Sequence, residues 1–203
     1  MMKAKDCIDV FNNCINDYHK TDNIDTPLTS PYPIGEFQDL LYKKNWIDTV
    51  QWHLEDIIRD PNIDPINGIA LKRRIDKSNQ DRTDLVERID DYYIELFSSS
   101  DPSEKATLNT ESPGWVIDRL SILCLKIYHM QEQVERKDID TNHKNKCQHK
   151  LSILLEQQND LSLAFDQLLD DYKNGSKIIK VYRQMKMYND DSLNPILYKK
   201  QNS

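Results

Sequence analysis

The most apolar stretch of the chain carries polar groups that could do chemistry. Residues 112–130, SPGWVIDRLSILCLKIYHM, are apolar on every side of a predicted helix. Within this stretch lie Asp118, Arg119, Lys126 and His129. Charged groups on a helix without a solvated face must pair with one another, bind a ligand or reach water. The stretch therefore predicts either an internal ion network or a polar binding site.

A second polar interruption lies in residues 66–97, where apolar residues otherwise follow one stripe. The inward positions in the middle of that stripe are Asn79 and Arg82 rather than aliphatic residues. An inward guanidinium requires a carboxylate, backbone carbonyls or a bound anion. Asp118 is the predicted partner because it lies among the polar breaks of the central helix, and Asp48 is the alternative.

Several cationic side chains could together form an anion site. They are Lys72, Arg73, Arg74, Arg82, Arg119 and Lys126. Free backbone amides at the start of the helix that follows Ser112 would also stabilise an anion. The alternative is internal neutralisation, in which Glu55, Asp56 and Asp118 pair with the cations and lock the bundle. His53 adds a group suited to proton transfer near neutral pH.

Two pairs of potential metal ligands share a three-residue spacing. His53 and Asp56 form one pair, and Glu87 and Asp90 form the other. Together they would resemble the metal sites of all-helical nucleotide pyrophosphatases. If the two helices form a hairpin that turns near residue 63, however, the pairs lie roughly 20 Å apart along the bundle. This separation is too large for one metal site.

Other histidines and cysteines give no metal signature. His143 and His149 lie near Cys147, but they lack the paired spacing of a zinc site. The four cysteines are scattered and are predicted to be reduced, mostly buried thiols: Cys7, Cys14, Cys124 and Cys147. We therefore predict no metal and no cofactor from the sequence.

Apolar periodicity predicts the helices that position these groups. They span residues 2–19, 36–60, 66–97, 112–136 and 147–172, followed by a shorter helix over residues 178–185. Gly175 is the predicted stop of the fifth helix. The fold class is all-α, an antiparallel bundle of about six helices around a central apolar helix near residues 113–136. One helical domain is expected over residues 1–188, with residues 21–35 as a linker or strap and residues 189–203 as a loosely ordered tail.

Composition excludes several classes of function. The chain has 203 residues with four glycines and eight prolines, which suits long uninterrupted helices. Its net charge of -7 argues against a nucleic-acid backbone as the main partner. No segment approaches the roughly 20 apolar residues of a membrane span, and the first residues lack the pattern of a signal peptide. We expect a cytoplasmic protein.

Three blocks of sequence resemble a known family. They are WHLEDIIRDP at 52–61, KRRIDKSNQDRTDLVERID at 72–90 and ESPGWVIDRLSILCLKIYHM at 111–130. They resemble a bacterial family known only as a domain of unknown function, with the signatures WHLED, NQxR and SPGxxxDRLSIL. The resemblance implies an all-helical fold and an association with glycosyltransferase or lipopolysaccharide genes. It places the signature positions at Trp52, His53, Glu55, Asp56, Asn79, Gln80, Arg82, Glu87, Asp90, Asp118, Arg119 and Lys126.

These observations leave three functions open. The first is binding or processing of a phosphorylated or nucleotide-linked sugar at a polar site inside the bundle. Its candidate catalytic residues are His53, Asp56 and Asp118, and its candidate ligand-binding residues are Lys72, Asn79, Arg82, Arg119 and Lys126. The second is a noncatalytic helical scaffold or interaction module with an apolar strip for a partner or for a homo-oligomer. The third is a metal-dependent enzyme like the nucleotide pyrophosphatases. The sequence does not decide whether the protein is an enzyme.

Overall fold

The computed structural model describes residues 1–185, 187 and 190–199, and all of its regular elements are helices. The helices are α1 (Ala4–Tyr18), α2 (Phe37–Ile57), α3 (Pro65–Leu96), α4 (Pro113–Glu135), α5 (Thr141–Lys173) and α6 (Pro195–Tyr198). The predicted all-α bundle is therefore confirmed.

Helix α4 lies at the centre of the bundle, as its apolar sequence predicted. It packs against α1, α2, α3 and α5. Its aliphatic residues, with Ile117 and Leu120 fully buried, join the main core. Pro113 occupies the first turn, where its missing N–H leaves no hydrogen bond broken.

Short connections make consecutive helices antiparallel in two places. Helices α2 and α3 form an antiparallel hairpin, in which Gln51 contacts Asn79 and Asp48 contacts Arg82. Helices α4 and α5 are likewise joined by a short connection, and Cys124 of α4 contacts Gln158 of α5.

Helices α1 and α2 differ from the predicted antiparallel arrangement, because they run in the same direction. Cys14 contacts Tyr42, and four residues later in both helices Tyr18 packs on Trp46. Residues 19–36 connect them without any helix and cross back over the length of the bundle. An extended chain spans up to about 3.3 Å per residue, so this connection is long enough to return past the roughly 22 Å of α1. Within it, Leu28 packs against the core.

The C-terminal part of the chain differs most from the sequence-based expectation. Helix α5 begins at Thr141 rather than at Cys147, because the Asp140 side chain caps it by accepting a hydrogen bond from the His143 amide at 2.7 Å. Residues 178–185 are not helical. Lys177 instead forms a β-bridge with Thr107. Of the predicted loose tail, residues 189 and 200–203 lie outside the described residues, and α6 lies within it.

Candidate functional site

Four charged side chains from three helices meet inside the bundle. Arg82 of α3 donates two hydrogen bonds to the Asp118 carboxylate of α4, from Nε to Oδ1 at 2.8 Å and from Nη2 to Oδ2 at 2.5 Å. Lys44 of α2 lies between two carboxylates, with its Nζ 2.9 Å from Asp118 Oδ1 and paired also with Asp48 Oδ2. Asp48 Oδ1 is 3.4 Å from Arg82 Nε. The predicted pairing of Arg82 with Asp118 is confirmed, and Asp48 belongs to the same group, which we call the buried ion network.

Helical spacing aligns the members of this network. Lys44 and Asp48 are four residues apart on α2, so their side chains lie one turn apart on the same face. Asp118 and Ser121 are three residues apart on the facing side of α4. The Ser121 hydroxyl donates to Asp48 Oδ2 at 2.5 Å, and Asn45 Nδ2 donates to Ser121 Oγ at 2.8 Å. The network therefore fixes the register of α2 against α4.

The two carboxylates of the network have different electrostatic environments. Burial raises the pKa of Asp118, but the Lys44 charge and the Arg82 hydrogen bonds outweigh it and hold this pKa below its usual value. Burial is the larger effect at Asp48 and raises its pKa, although Lys44 and Arg82 oppose it. Asp48 Oδ1 is also buried without a hydrogen-bond partner. Asp48 is therefore the carboxylate of this network that is better suited to hold a proton.

The start of α4 is occupied by a carboxylate of the protein itself. Asp90 of α3 accepts hydrogen bonds from the Ser112 hydroxyl at 2.7 Å and from the Gly114 amide at 2.6 Å. Asp90 therefore supplies a negative charge at the helix start where the sequence predicted an external anion, and it takes up the Gly114 amide. Glu87, which the sequence paired with Asp90 as a potential metal ligand, accepts a hydrogen bond from the Gln184 amide at 2.9 Å.

His53 lies in a cluster of three histidines rather than in the ion network. Its Nε2 is 3.3 Å from His19 Nε2. One nitrogen from each of His19, His53 and His129 lies within 4.8 Å of the other two. Burial lowers the pKa of His53, which favours the neutral ring. Asp56 forms no part of this histidine cluster, and the two pairs considered as pyrophosphatase-like metal ligands do not meet.

Two cavities adjoin each other beside the network and the histidine cluster. The larger, of about 540 Å³, is lined mainly by α2, α4 and α5, including Trp52, Asp56, Lys126, His129, Gln133 and Lys150. The smaller, of about 280 Å³, contains both Asp48 and Arg82 in its wall. Trp52 and Asp56 line both cavities, so the two cavities share part of their walls.

A family model matches most of these elements. The family described as "Protein of unknown function (DUF4254)" matches residues 38–181, which include nearly all of α2 and the whole of α3, α4 and α5. The chain belongs to this family. No curated protein and no solved structure matches the chain. Among the described residues, no helix is long and apolar enough to cross a membrane.

The three sequence blocks that carried the resemblance all lie within the DUF4254 match, and the structure divides their residues between different places. Trp52, Asp56 and Lys126 line the larger cavity. Arg82 and Asp118 belong to the ion network, and Arg82 also lines the smaller cavity. The signature therefore combines cavity-lining residues with residues that hold the helices together.

The other predicted ligand-binding residues are not brought to these cavities. Lys72 is exposed and pairs with Asp76 one turn away. Arg119 is exposed, and its Nη1 is 2.7 Å from Glu111 Oε2. The Asn79 amide oxygen accepts a hydrogen bond from Gln51 Nε2 at 2.8 Å, so it links α3 to α2.

Sequence reasoning missed two groups of side chains. Lys44 lies on the buried side of α2, one turn from Leu40 and one turn from Asp48. Its place on this inward-facing stripe of the helix could have identified it as a buried cation from the sequence. His129 was noted as a polar residue on the apolar α4. Its partners His19 and His53 could not be found from spacing, because they come from separate helices and meet only through the parallel packing of α1, α2 and α4.

Proposed function

We propose that this DUF4254 protein binds a phosphorylated or nucleotide-linked sugar in the larger cavity. The observation that carries the proposal is a pair of lysines on its walls, Lys126 of α4 and Lys150 of α5. Among the described residues, no carboxylate lies within ion-pair distance of either ammonium group. Two lysines against the single carboxylate of Asp56 in the same wall favour an anionic ligand such as a phosphate.

The remaining walls suit the organic part of such a ligand. Trp52 offers an aromatic surface, and Met130 and Leu154 supply apolar contacts. Asp56 and Gln133 provide acceptors and a donor for hydroxyl groups. A cavity of about 540 Å³ with mixed walls is in the size range of small-molecule sites.

For a reaction of a bound ligand that reaches from the larger cavity into the smaller one, we assign proton transfer to Asp48 rather than to Asp118. Asp118 uses both carboxylate oxygens to hold Arg82 and Lys44, and its pKa is low. Asp48 has a raised pKa, an oxygen without a hydrogen bond and a place in the wall of the smaller cavity. Asp56 is the second carboxylate within reach, because it lines both cavities. A catalytic carboxylate of this kind works best with a pKa nearer to neutral.

Thermal unfolding in the presence of sugar phosphates and sugar nucleotides tests the binding proposal, because a ligand of the native state raises the melting temperature. We expect stabilisation by one class of these compounds and not by the corresponding neutral sugars. Lys126→Met and Lys150→Met should each weaken binding by about tenfold or more, since each removes a charge-assisted contact. Lys146→Met is the matched control, because Lys146 lies one turn from Lys150 on α5 but does not line the cavity.

Two results would contradict the proposal. One is the absence of stabilisation by any phosphorylated or nucleotide-linked sugar. The other is equal weakening by Lys146→Met and Lys150→Met, which would indicate a general charge effect. A tight oligomer without any ligand response would support the alternative of a noncatalytic scaffold.

A further inference from the structure

We infer that His19, His53 and His129 form a binding site for one divalent transition-metal ion of the Zn²⁺ type. The three imidazoles come from the end of α1, from α2 and from α4, and one nitrogen of each converges on a common point. This inference does not depend on the proposed sugar site, because it rests on the convergence of the three imidazoles and shares only His129 and Trp52 with the walls of the larger cavity.

The distances fit nitrogen ligands of one ion. Two nitrogens bound to a tetrahedral Zn²⁺ at about 2.05 Å are about 3.3 Å apart. His19 Nε2 and His53 Nε2 are separated by 3.3 Å. The largest separation among the three ligand nitrogens is within 4.8 Å. His129 therefore needs to approach by at most about 1.5 Å to complete the ligand set.

Hydrogen bonds to the opposite ring nitrogens prepare the histidines for metal binding. His19 Nδ1 lies 2.7 Å from the Ile15 carbonyl oxygen, and His129 Nδ1 lies 2.7 Å from Glu132 Oε2. Both partners are acceptors when Glu132 is ionised, so each Nδ1 carries the proton and each Nε2 presents a lone pair. The same pairing of a ligand histidine with a carbonyl or carboxylate supports many metal sites. His129 Nε2 is buried and has no hydrogen-bond partner, so a ligand role would satisfy it.

Aromatic rings hold all three imidazoles in place. His53 stacks on Tyr18, with ring centroids 5.1 Å apart. His19 stacks on Tyr128 at 4.3 Å, and His129 stacks on Trp52 at 4.8 Å. Packing of this kind limits ring rotation before an ion arrives and lowers the entropic cost of binding. An isolated set of surface histidines would lack these restraints.

The surroundings leave room for a fourth ligand. Asp22 Oδ1 is 3.8 Å from His53 Nε2, and Asp22 has a left-handed backbone conformation with φ of 47°. That conformation is uncommon outside glycine, although aspartate tolerates it better than most residues. Three histidines with one further position for a carboxylate or water match the composition of catalytic zinc sites. His129 also lines the larger cavity, so an ion here would lie close to that space.

The test is a titration of the untagged, chelator-treated full chain with Zn²⁺ in competition with a chromophoric chelator. We expect one ion per chain. His19→Gln, His53→Gln and His129→Gln should each weaken binding by at least about 100-fold, and Glu132→Gln, which removes only the support of His129, by about tenfold to 100-fold. His143→Gln and His149→Gln are the matched controls and should not change the affinity, because neither belongs to the cluster.

Two further measurements keep the result unambiguous. Substitution by Co²⁺ should give the visible absorption of a tetrahedral nitrogen site in the wild type and not in His129→Gln. Circular dichroism of every metal-free variant should show an intact helical fold. If a histidine variant does not fold, the Zn²⁺ affinity of Glu132→Gln is compared with that of the wild type, because this variant keeps all three histidines and removes only the hydrogen bond to His129. Lys126→Met should bind Zn²⁺ normally even if it loses the sugar ligand. The inference is overturned if the wild type binds no ion, or if the control variants lose as much affinity as the cluster variants.

Discussion

The buried ion network makes a strong prediction for Asp118→Asn. Asp118 accepts hydrogen bonds from Arg82 at both carboxylate oxygens, and its Oδ1 also contacts Lys44, whose side chain is 0% exposed. The substitution keeps the shape of the side chain, but it leaves Lys44 and Arg82 with Asp48 as their only carboxylate within the network. It also places the new amide N–H group against N–H donors of these cations, with which it cannot form a hydrogen bond. Breaking a buried pair by removal of one partner costs about 3–5 kcal/mol. Against a total stability of about 5–15 kcal/mol, this is a large fraction.

The partner variant should be less harmful. Arg82→Met leaves Asp118 paired with Lys44, and the Arg82 side chain is already 24% exposed. We expect it to cost about 1–3 kcal/mol, the usual effect of leaving a buried acceptor without one of its donors. The double variant leaves Lys44 with Asp48, a neutral pair, so its cost should be smaller than the sum of the single costs by about 0.5–3 kcal/mol. Arg119→Met is the matched control, because its pair with Glu111 is on the surface and contributes at most about 1 kcal/mol.

Urea unfolding followed by circular dichroism measures these free energies, and pH adds a second test. The lowered pKa of Asp118 stabilises the folded state above the unfolded carboxyl value of about 3.9, and this contribution is lost as pH falls through the folded value. The difference between wild type and Asp118→Asn should therefore shrink in acid. A cost below about 1 kcal/mol for Asp118→Asn, or additive single and double variants, would refute the reasoning.

Three further predictions concern glycines and thiols. Gly114→Ala should destabilise the protein by about 1–3 kcal/mol in thermal unfolding, because the new Cβ would lie 2.5 Å from the Val86 carbonyl oxygen. Gly68→Ala is the control: it is a helical site where the new Cβ would meet no atom closer than 3.7 Å, so the substitution should be neutral or stabilising. Equal losses of stability at both sites would contradict the packing argument. Gly175→Ala should also destabilise, since Gly175 has φ of +71° and its Cβ would meet the Asp101 carbonyl oxygen at 2.5 Å; an unchanged melting temperature would contradict this. A disulfide reagent should modify the buried thiols slowly in the native protein and fully in denaturant. Burial raises the pKa of Cys124 to about 12 and raises the pKa values of Cys7 and Cys14 further, which disfavours the reactive thiolate. Rapid labelling of the native protein would contradict the burial. The thiols concerned are Cys7, Cys14, Cys124 and Cys147.

The parts of the fold that sequence predicted well are those where apolar periodicity is continuous. The bounds of α1 to α4 lie within about three residues of the prediction. The start of α5 was missed because residues 141–146 are polar and exposed, so only the Asp140 cap marked it. Residues 178–185 were misread because their apolar pattern suits more than one conformation. Ile178, Ile179 and Val181 are β-branched, which lowers their helix propensity, and the chain there is not helical.

The candidate sites divide in the same way. The pairing of Arg82 with Asp118 was predictable, because each was a charge on an inward face and only a few partners could satisfy it. The histidine cluster was not predictable, because its geometry depends on the direction of α1 relative to α2. That direction is set by the long connection over residues 19–36. The sequence predicted a linker or strap at residues 21–35, but it did not predict that this segment returns across the bundle to make α1 and α2 parallel. His19 also lies outside the DUF4254 match at residues 38–181, whereas His53 and His129 lie inside it.

The ion network and the neighbouring sites are coupled through helix register. Lys44 pairs with Asp118 in the N-terminal halves of α2 and α4, and Trp52 stacks on His129 about two turns further along α2 and about three turns further along α4. A slip of one helical turn would move these residues by about 5.4 Å relative to each other. Such a shift exceeds the span of the three histidine nitrogens and would also separate Trp52 from the walls contributed by α4. Lys44 and Asp118, which line neither cavity, are therefore best understood as positioning residues that act on the cavities and the histidine cluster through helix register.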